Sequence, residues 1–350
     1  MTALRSVATP VLLIALVAVA TFIGDHGPGD VKSATASALI TMLLVIALMV
    51  FTGNSGVASF GHASFMAIGA YTAALVSTTP QYKAIELPNL PHWLANLHLS
   101  AVPAVLLGGA LAMVFAAVVA LPLVRLSGLA ASLATVAQLV VIHDVAENWD
   151  KITRGTPGFI IDAPQPGTWS LFPWAAGAIV IAWVFKRSST GLRLIASRED
   201  PVAAVASGIR IRRERAIALV VSAFLAGAAG GLFALHFANI SPANFYLSIT
   251  FTMVAMLVVG GAESLSGAVV GVIVVTALLE LFRQIEGGFT VASLHVPARP
   301  GLADFGLALG LLAILILRPR GVTGGRELSP PHLPRLRLRG QKPEPSSEAG

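Results

Sequence analysis

The stretch Ala38-Leu39-Ile40-Thr41-Met42-Leu43-Leu44-Val45-Ile46-Ala47-Leu48-Met49-Val50-Phe51 decides the fold class. It carries no charge and does not alternate polar with apolar residues. A membrane β-barrel would alternate within segments of about ten residues. An unbroken apolar run reads instead as helix, and over 34–52 it approaches the roughly 20 residues that cross the hydrocarbon of a bilayer.

Working outward, similar segments lie near 6–24, 62–79, 101–122, 127–146, 171–185, 216–235, 246–262, 267–284 and 302–317. The 350 residues are 55% hydrophobic and 11% charged, with mean hydropathy +0.80. Soluble domains carry about 25% charged residues, so a soluble enzyme and a disordered chain are both excluded. The expected fold is an all-α polytopic membrane protein of about ten transmembrane helices, because lipid offers the backbone no hydrogen-bond partners. The absence of Cys removes disulfides, thiolate metal sites and a Cys nucleophile. No H-E-x-x-H, G-x-S-x-G or Walker A pattern occurs. Glu280 and Arg283, three apart on one helix, are expected to pair near its outer end. No catalytic group, metal site or cofactor is assigned to this chain.

Charge placement gives the orientation. Lys186, Arg187, Arg193, Arg198, Arg210, Arg212, Arg213 and Arg215 crowd one loop, and seven more basic residues follow position 317. With Arg5 and Arg125, these fall on one side of ten alternating spans, while the opposite loops hold Asp25, Asp30, Glu86, Asp144, Glu147, Asp150, Asp162 and Glu286. Both termini are therefore expected to be cytoplasmic. The net charge of +6 records orientation, and nucleic acid drops out as a partner. Arg5 with Ala18-Val19-Ala20 fits either a cleaved signal or a first anchor, and the apolar run through Phe22 and Ile23 favours the anchor.

Small residues recur at four-residue spacing: Ala223, Gly227 and Gly231; Gly267 and Gly271; Gly306 and Gly310. Such lines let helix backbones approach closely and predict tight packing. Two Gly-rich links, 52–62 and 260–267, lack Lys and Arg. The second reads as a turn, since Glu263 is easier to place in water. The first is either a broken helix or a turn. On the fifth segment Ser132, Thr135 and Gln138 share one face, serving either a polar cavity or hydrogen bonds between helices. Asn54, Ser55, His62, Ser64, Thr135 and Gln138 are the candidate solute-pathway residues.

The basic loop carries a short helix. Asp200 suits its N-cap, Pro201 its first turn and Gly208 its end, giving about seven residues and ~10 Å of helix. Its interior, Val202-Ala203-Ala204-Val205-Ala206, is small and smooth, as a docking element requires.

At Arg198-Glu199-Asp200, Ala203-Ala204, Gly208-Ile209, Ser222-Ala223, Ala226-Gly227-Ala228-Ala229-Gly230, Ile240-Ser241-Pro242 and Phe245, the chain resembles the permease subunits of branched-chain amino-acid ABC importers, LivM type. Gly61-His62-Ala63-Ser64-Phe65 with Gly69-Ala70-Tyr71, Asn148-Trp149-Asp150, Thr153-Arg154-Gly155-Thr156-Pro157-Gly158 and Arg318-Pro319-Arg320-Gly321 extend the likeness in the same order. Glu263, Ala268 and Val202 depart from the pattern, where Gly, Pro and an acid are common. The resemblance implies an inner or plasma membrane importer of branched-chain amino acids. A second, LivH-type permease, an extracytoplasmic solute-binding protein and two cytoplasmic ATPases would complete it, with ATP bound by those partners. Arg198, Glu199, Asp200, Pro201, Ala203, Ala204 and Gly208 would form the coupling helix that receives the ATPase stroke. The same motifs accommodate an importer of urea, short amides or another small solute; a passive channel is the more distant alternative. Residues 1–325 are expected to form the permease domain, and 326–350, rich in Pro, Arg and Ser, a disordered basic tail.

Overall fold

The computed structural model describes residues 2–286, 289–291, 294–296, 301–318 and 320–328. Its long helices are α1 (Thr2–Asp25), α2 (Gly29–Leu48), α3 (His62–Ser77), α4 (Ala101–Leu123), α5 (Gly128–Asn148) and α6 (Thr168–Arg187). The basic loop holds α7 (Ser189–Glu199) and α8 (Pro201–Ala206). Then come α9 (Ile211–Phe237), α10 (Leu247–Gly260), α11 (Leu265–Glu286) and α12 (Leu302–Leu317).

Every apolar segment read from the sequence falls on a helix. Among the described residues, eight helices are long and apolar enough to cross a membrane. The other two, α3 and α12, have 16 residues each. For α3 the cause is local. Helix α2 continues through a π-turn, Met49–Gly53, and the chain then runs without helix from Gly56 to Gly61. Gly53, Asn54, Ser55, Val57 and Ser59 are buried. His62, the first residue of α3, hydrogen-bonds Ser222 near the middle of α9. The 52–62 link is therefore a broken helix that folds back into the bundle, and α3 starts at mid-depth.

The 260–267 link is a turn, as read, with Gly261 at φ 115°. One end of the bundle carries α7, α8 and most basic side chains; below it is called the basic end. At the opposite, acidic end, Thr79 donates to Asp162 at 2.8 Å, and Trp169 donates to Asp25 at 3.1 Å.

Helix α9 is the hub and packs most extensively on α4 and α3. Its small-residue face makes this possible. A methyl group at Gly69 would overlap the backbone of Gly227, one at Gly227 would meet Ala112 and the Gly108 carbonyl, and one at Gly231 would crowd Val105. Gly271 and Gly260 press α11 on α10 in the same way, while Gly267 sits against the Gly261 turn. Backbone approach of this kind gains dispersion contact where lipid supplies no hydrophobic drive. Two strand pairs, β1 (Phe159–Ile160) with β2 (Asn239–Ile240) and β3 (Phe289–Val291) with β4 (Leu294–Val296), are both antiparallel.

Candidate functional site

The basic-end loop is built by two caps. Ser188 accepts from the Gly191 amide at 3.1 Å and opens α7. Asp200 accepts from the amides of Val202 and Ala203 at 2.9 and 3.0 Å and opens α8, with Pro201 in its first turn. These bonds satisfy helix-start donors that would otherwise be orphaned. Gly208 ends the unit at φ 80°, a backbone region that favours glycine. Helix α8 has six residues, close to the reading from sequence. Ala204 is buried against the bundle, whereas Val202 is 80% and Val205 62% exposed. Of the Ala203-Ala204 pair, only Ala203 is on the outward face.

Arg198 does not face outward with its neighbours. Its Nη1 donates to the Gly53 carbonyl at 2.7 Å and lies 3.7 Å from the Glu263 carboxylate. Its Nη2 and Nε donate to Glu199 at 2.7 and 3.2 Å. Gly56, at φ 70°, lies so close that a methyl group there would sit 2.7 Å from Cγ of Arg198. One guanidinium thus joins α7, the broken end of α2 and the 260–267 turn. This use of Glu263 explains why an acid can stand in that turn. A second tie is the 3.5 Å contact of Arg193 with the buried Glu214 of α9.

The residues after α12 form a strap over the same turn. The amides of Val322 and Thr323 donate to the carbonyls of Val259 and Gly260 at 2.7 and 3.2 Å. Glu327 accepts from the Leu265 and Ser266 amides, each at 3.0 Å, and pairs with Lys186 at 2.6 Å. It thereby caps α11. Burial pushes the Glu327 carboxyl up, but Lys186 and the two amides outweigh it and hold the group below its ordinary value. The ordered chain therefore runs past 325: Glu327 and Leu328 belong with the helices, Leu328 accepting from Thr9 at 3.0 Å. The remainder of the expected tail, 329–350, lies outside the described residues.

The pathway candidates split into two groups. His62, Ser64, Thr135 and Gln138 come together where α3 begins. His62 Nδ1 and Nε2 lie 2.9 Å from Ser59 Oγ and 3.2 Å from Ser222 Oγ. Gln138 donates to Ser64 Oγ at 2.6 Å, and Thr135 accepts from the Phe60 amide at 3.0 Å. The Thr135–Gln138 face thus holds the broken segment in place by hydrogen bonds between helices. Asn54 and Ser55 stand apart, bonded to the Val50 carbonyl at 2.9 Å and the Val57 amide at 3.2 Å. Sequence reading quoted Ser222 and Gly69 as motif residues without a contact for either, and did not single out Gly108 or Glu327. The two glycine contacts were signalled by the Gly227–Gly231 line they complement; the role of Glu327 had no local signal.

The outer-loop motif is likewise structural. Arg154 sits at φ 63° and ion-pairs with Glu86, and Gly155 and Gly158 also take positive φ.

A family described as "Branched-chain amino acid transport system / permease component" matches residues 31–298. The chain belongs to this family. It is of the LivM type. It is 26% identical to the high-affinity branched-chain amino acid transport system permease protein LivM of Escherichia coli (strain K12), over 94% of this chain and 76% of that protein. LivM of Salmonella typhimurium is 27% identical over 93% and 76%. A probable branched-chain amino acid transport permease protein LivH of Methanocaldococcus jannaschii is 30% identical over 39% of this chain and 42% of its own. No solved structure matches the chain. The family is one of transport components, so this LivM-type permease is a multi-pass membrane subunit whose role is passage rather than turnover.

Proposed function

We propose that this permease, paired with a LivH-type permease, carries branched-chain amino acids through an ATP-binding cassette importer of the inner or plasma membrane. The observation that carries the reading is the grip of Arg198 on Gly53. It gives an exposed docking helix a rigid connection to a broken helix inside the bundle.

Both termini and α8 face the cytoplasm, where positive charge is retained. An extracytoplasmic solute-binding protein delivers the amino acid at the acidic end. Two cytoplasmic ATPases bind ATP, and one receives the Val202, Ala203 and Val205 face of α8 in a groove. When the ATPases close, α8 and α7 move as one capped unit. Arg198 then displaces the Gly53–Gly61 segment and the Glu263 turn together. The His62–Ser222 and Gln138–Ser64 bonds define the resting position of the segment, and the glycine-lined α3–α4–α9 core stays rigid behind it.

The test is uptake of labelled leucine, isoleucine or valine by proteoliposomes holding both permeases, both ATPases and the binding protein. Uptake that requires ATP and saturates supports the reading. Uptake without ATP makes the chain a passive channel, and ATP-driven uptake of urea or a short amide alone reassigns the cargo.

A further inference from the structure

A cavity of about 630 Å³ opens between α2, α10 and α11, beside the end of α9 at Phe237, and none of the His62-cluster residues lines it. Its mouth is at the acidic end, beside Asp30 at the start of α2 and Gln284 near the end of α11. Its floor is at Thr41 and Thr276, near the middle of their helices, and at Met256, four residues before the end of α10. From Gly29 to Thr41 the depth is ~18 Å at 1.5 Å per residue. Beyond the floor, α10 and α11 meet through Gly260 and Gly271, which leaves no room to continue. The cavity is therefore a blind vestibule reaching mid-bundle.

Its lining is more apolar than polar, with a row of hydroxyls set among the aliphatic side chains; those of Ser37, Thr41 and Thr252 donate to carbonyls of their own helices and keep their acceptor sites for a ligand. Ser33, Ser37 and Thr41 follow one another at four-residue spacing on α2, and Thr252 and Thr276 add hydroxyls from α10 and α11. Glu280 is the decisive member. Its side chain is only 14% exposed, about 9 Å inside the end of α11. An ionisable side chain held inside a membrane bundle is costly and marks a functional site by default. Its nearest cation, Arg283, is 3.9 Å away, and Gln284 donates to it at 3.4 Å. Both contacts are longer than a well-made bond of about 2.7–3.2 Å, so neither partner saturates the carboxylate. Arg283 is 66% exposed.

We infer that this vestibule is an outward-facing binding site for a zwitterionic amino acid, with Glu280 receiving the ammonium and Arg283 the carboxylate. The ligand's ammonium and carboxylate displace the loose 3.9 Å contact between the two side chains and complete both. Met256, Leu279 and Phe237 supply the apolar surface for an aliphatic side chain. The volume lies within the roughly 300–1,000 Å³ of small-molecule sites. This inference rests on the proposed transport of amino acids and places its entry step within this chain.

The chain has no cysteine, so single thiols can be introduced without removing any. The Thr41→Cys and Thr276→Cys variants, each in the complete reconstituted importer, are exposed from the outer side to membrane-impermeant cationic and anionic methanethiosulfonates. Both positions are expected to react, the cationic reagent faster, and L-leucine should slow the reaction several-fold while isoamylamine and 4-methylpentanoate, each lacking one charge, protect less. Glu280→Gln should raise the leucine concentration needed for protection roughly ten- to hundredfold, the value of one charge-assisted hydrogen bond. Failure to react in variants that still take up leucine, or reaction that leucine does not slow, overturns the vestibule and leaves the transport reading standing. A cysteine-free parent importer that takes up no branched-chain amino acid overturns the transport reading first.

Discussion

Arg198 Nη1 donates to the carbonyl of Gly53 at 2.7 Å, joining positions 145 residues apart in the chain. The bond connects a loop helix at the basic end with the point where α2 breaks. Gly53 is itself pressed against Ala262 of the 260–267 turn, and Arg198 also reaches Glu263 in that turn. Three separate breaks in helical structure therefore converge on one side chain that is 20% exposed.

Arg198→Ala should leave the importer assembled but uncoupled. A hydrogen bond from a charged donor is worth about 1.5–3 kcal/mol, enough to lower the coupled rate by roughly tenfold or more. Solute uptake per ATP hydrolysed measures it directly. Arg198→Lys keeps the charge but cannot span Gly53, Glu199 and Glu263 with one planar fork, so it should restore only part of the ratio. An unchanged ratio in both variants would show that the loop drives the bundle through other contacts.

The two faces of α8 should separate by experiment. Val202→Asp and Val205→Asp alter exposed positions and should shift stability by less than ~0.5 kcal/mol. They should nevertheless abolish co-purification with the ATPases and ATP-driven uptake. Ala204→Leu, by contrast, overfills a buried site and should cost about 1–3 kcal/mol in thermal stability. ATPase binding that survives both aspartates would remove α8 from the docking surface.

The bundle was legible in sequence because spans are written in long local runs. Caps at Asp200 and Gly208 were equally local, and they placed α8 to within a residue or two. What escaped was anything that depends on which distant segment lies alongside. Polarity marked Thr135 and Gln138, but only the packing of α5 on the broken link shows which groups they bond. Composition likewise assigned Glu327 to a basic tail, because its partners, the start of α11 and Lys186, are 61 and 141 residues away. The segment read at 62–79 begins where α3 begins, at His62, and runs two residues past its end at Ser77; burial of the link before it leaves no mark in hydropathy.

Glycines of the α3–α4–α9 core should be far less tolerant than glycines elsewhere. Gly69→Ala places a methyl on the backbone of Gly227, and overpacking of this kind costs about 1–3 kcal/mol. Nothing lies within 4 Å of the Cβ position of Gly177 on α6. There, Gly177→Ala gains helix propensity and should stabilise by about 0.5–1 kcal/mol. Thermal unfolding of the detergent-solubilised permease, followed by loss of the monodisperse species, should rank Gly177→Ala above the parent and Gly69→Ala below it.

Glu327 predicts an acid-sensitive strap. Its carboxyl is held below its ordinary value in the folded chain, with Lys186 and the amides of Leu265 and Ser266 prevailing over burial. A group with a depressed folded value stabilises fully above its unfolded value, and that contribution disappears as pH falls through the folded one. The strap should thus be locked at neutral pH and released only on acidification through and below the usual glutamate range. Hydrogen exchange at the Val322 and Thr323 amides reports this, since both bonds close onto the end of α10. After correction for intrinsic rates, exchange should accelerate in acid for the parent. In Glu327→Gln it should be fast already at neutral pH and change little with acid, because the variant lacks both the charge and the titration. Equal protection of the two proteins at neutral pH would show that backbone bonds alone hold the strap.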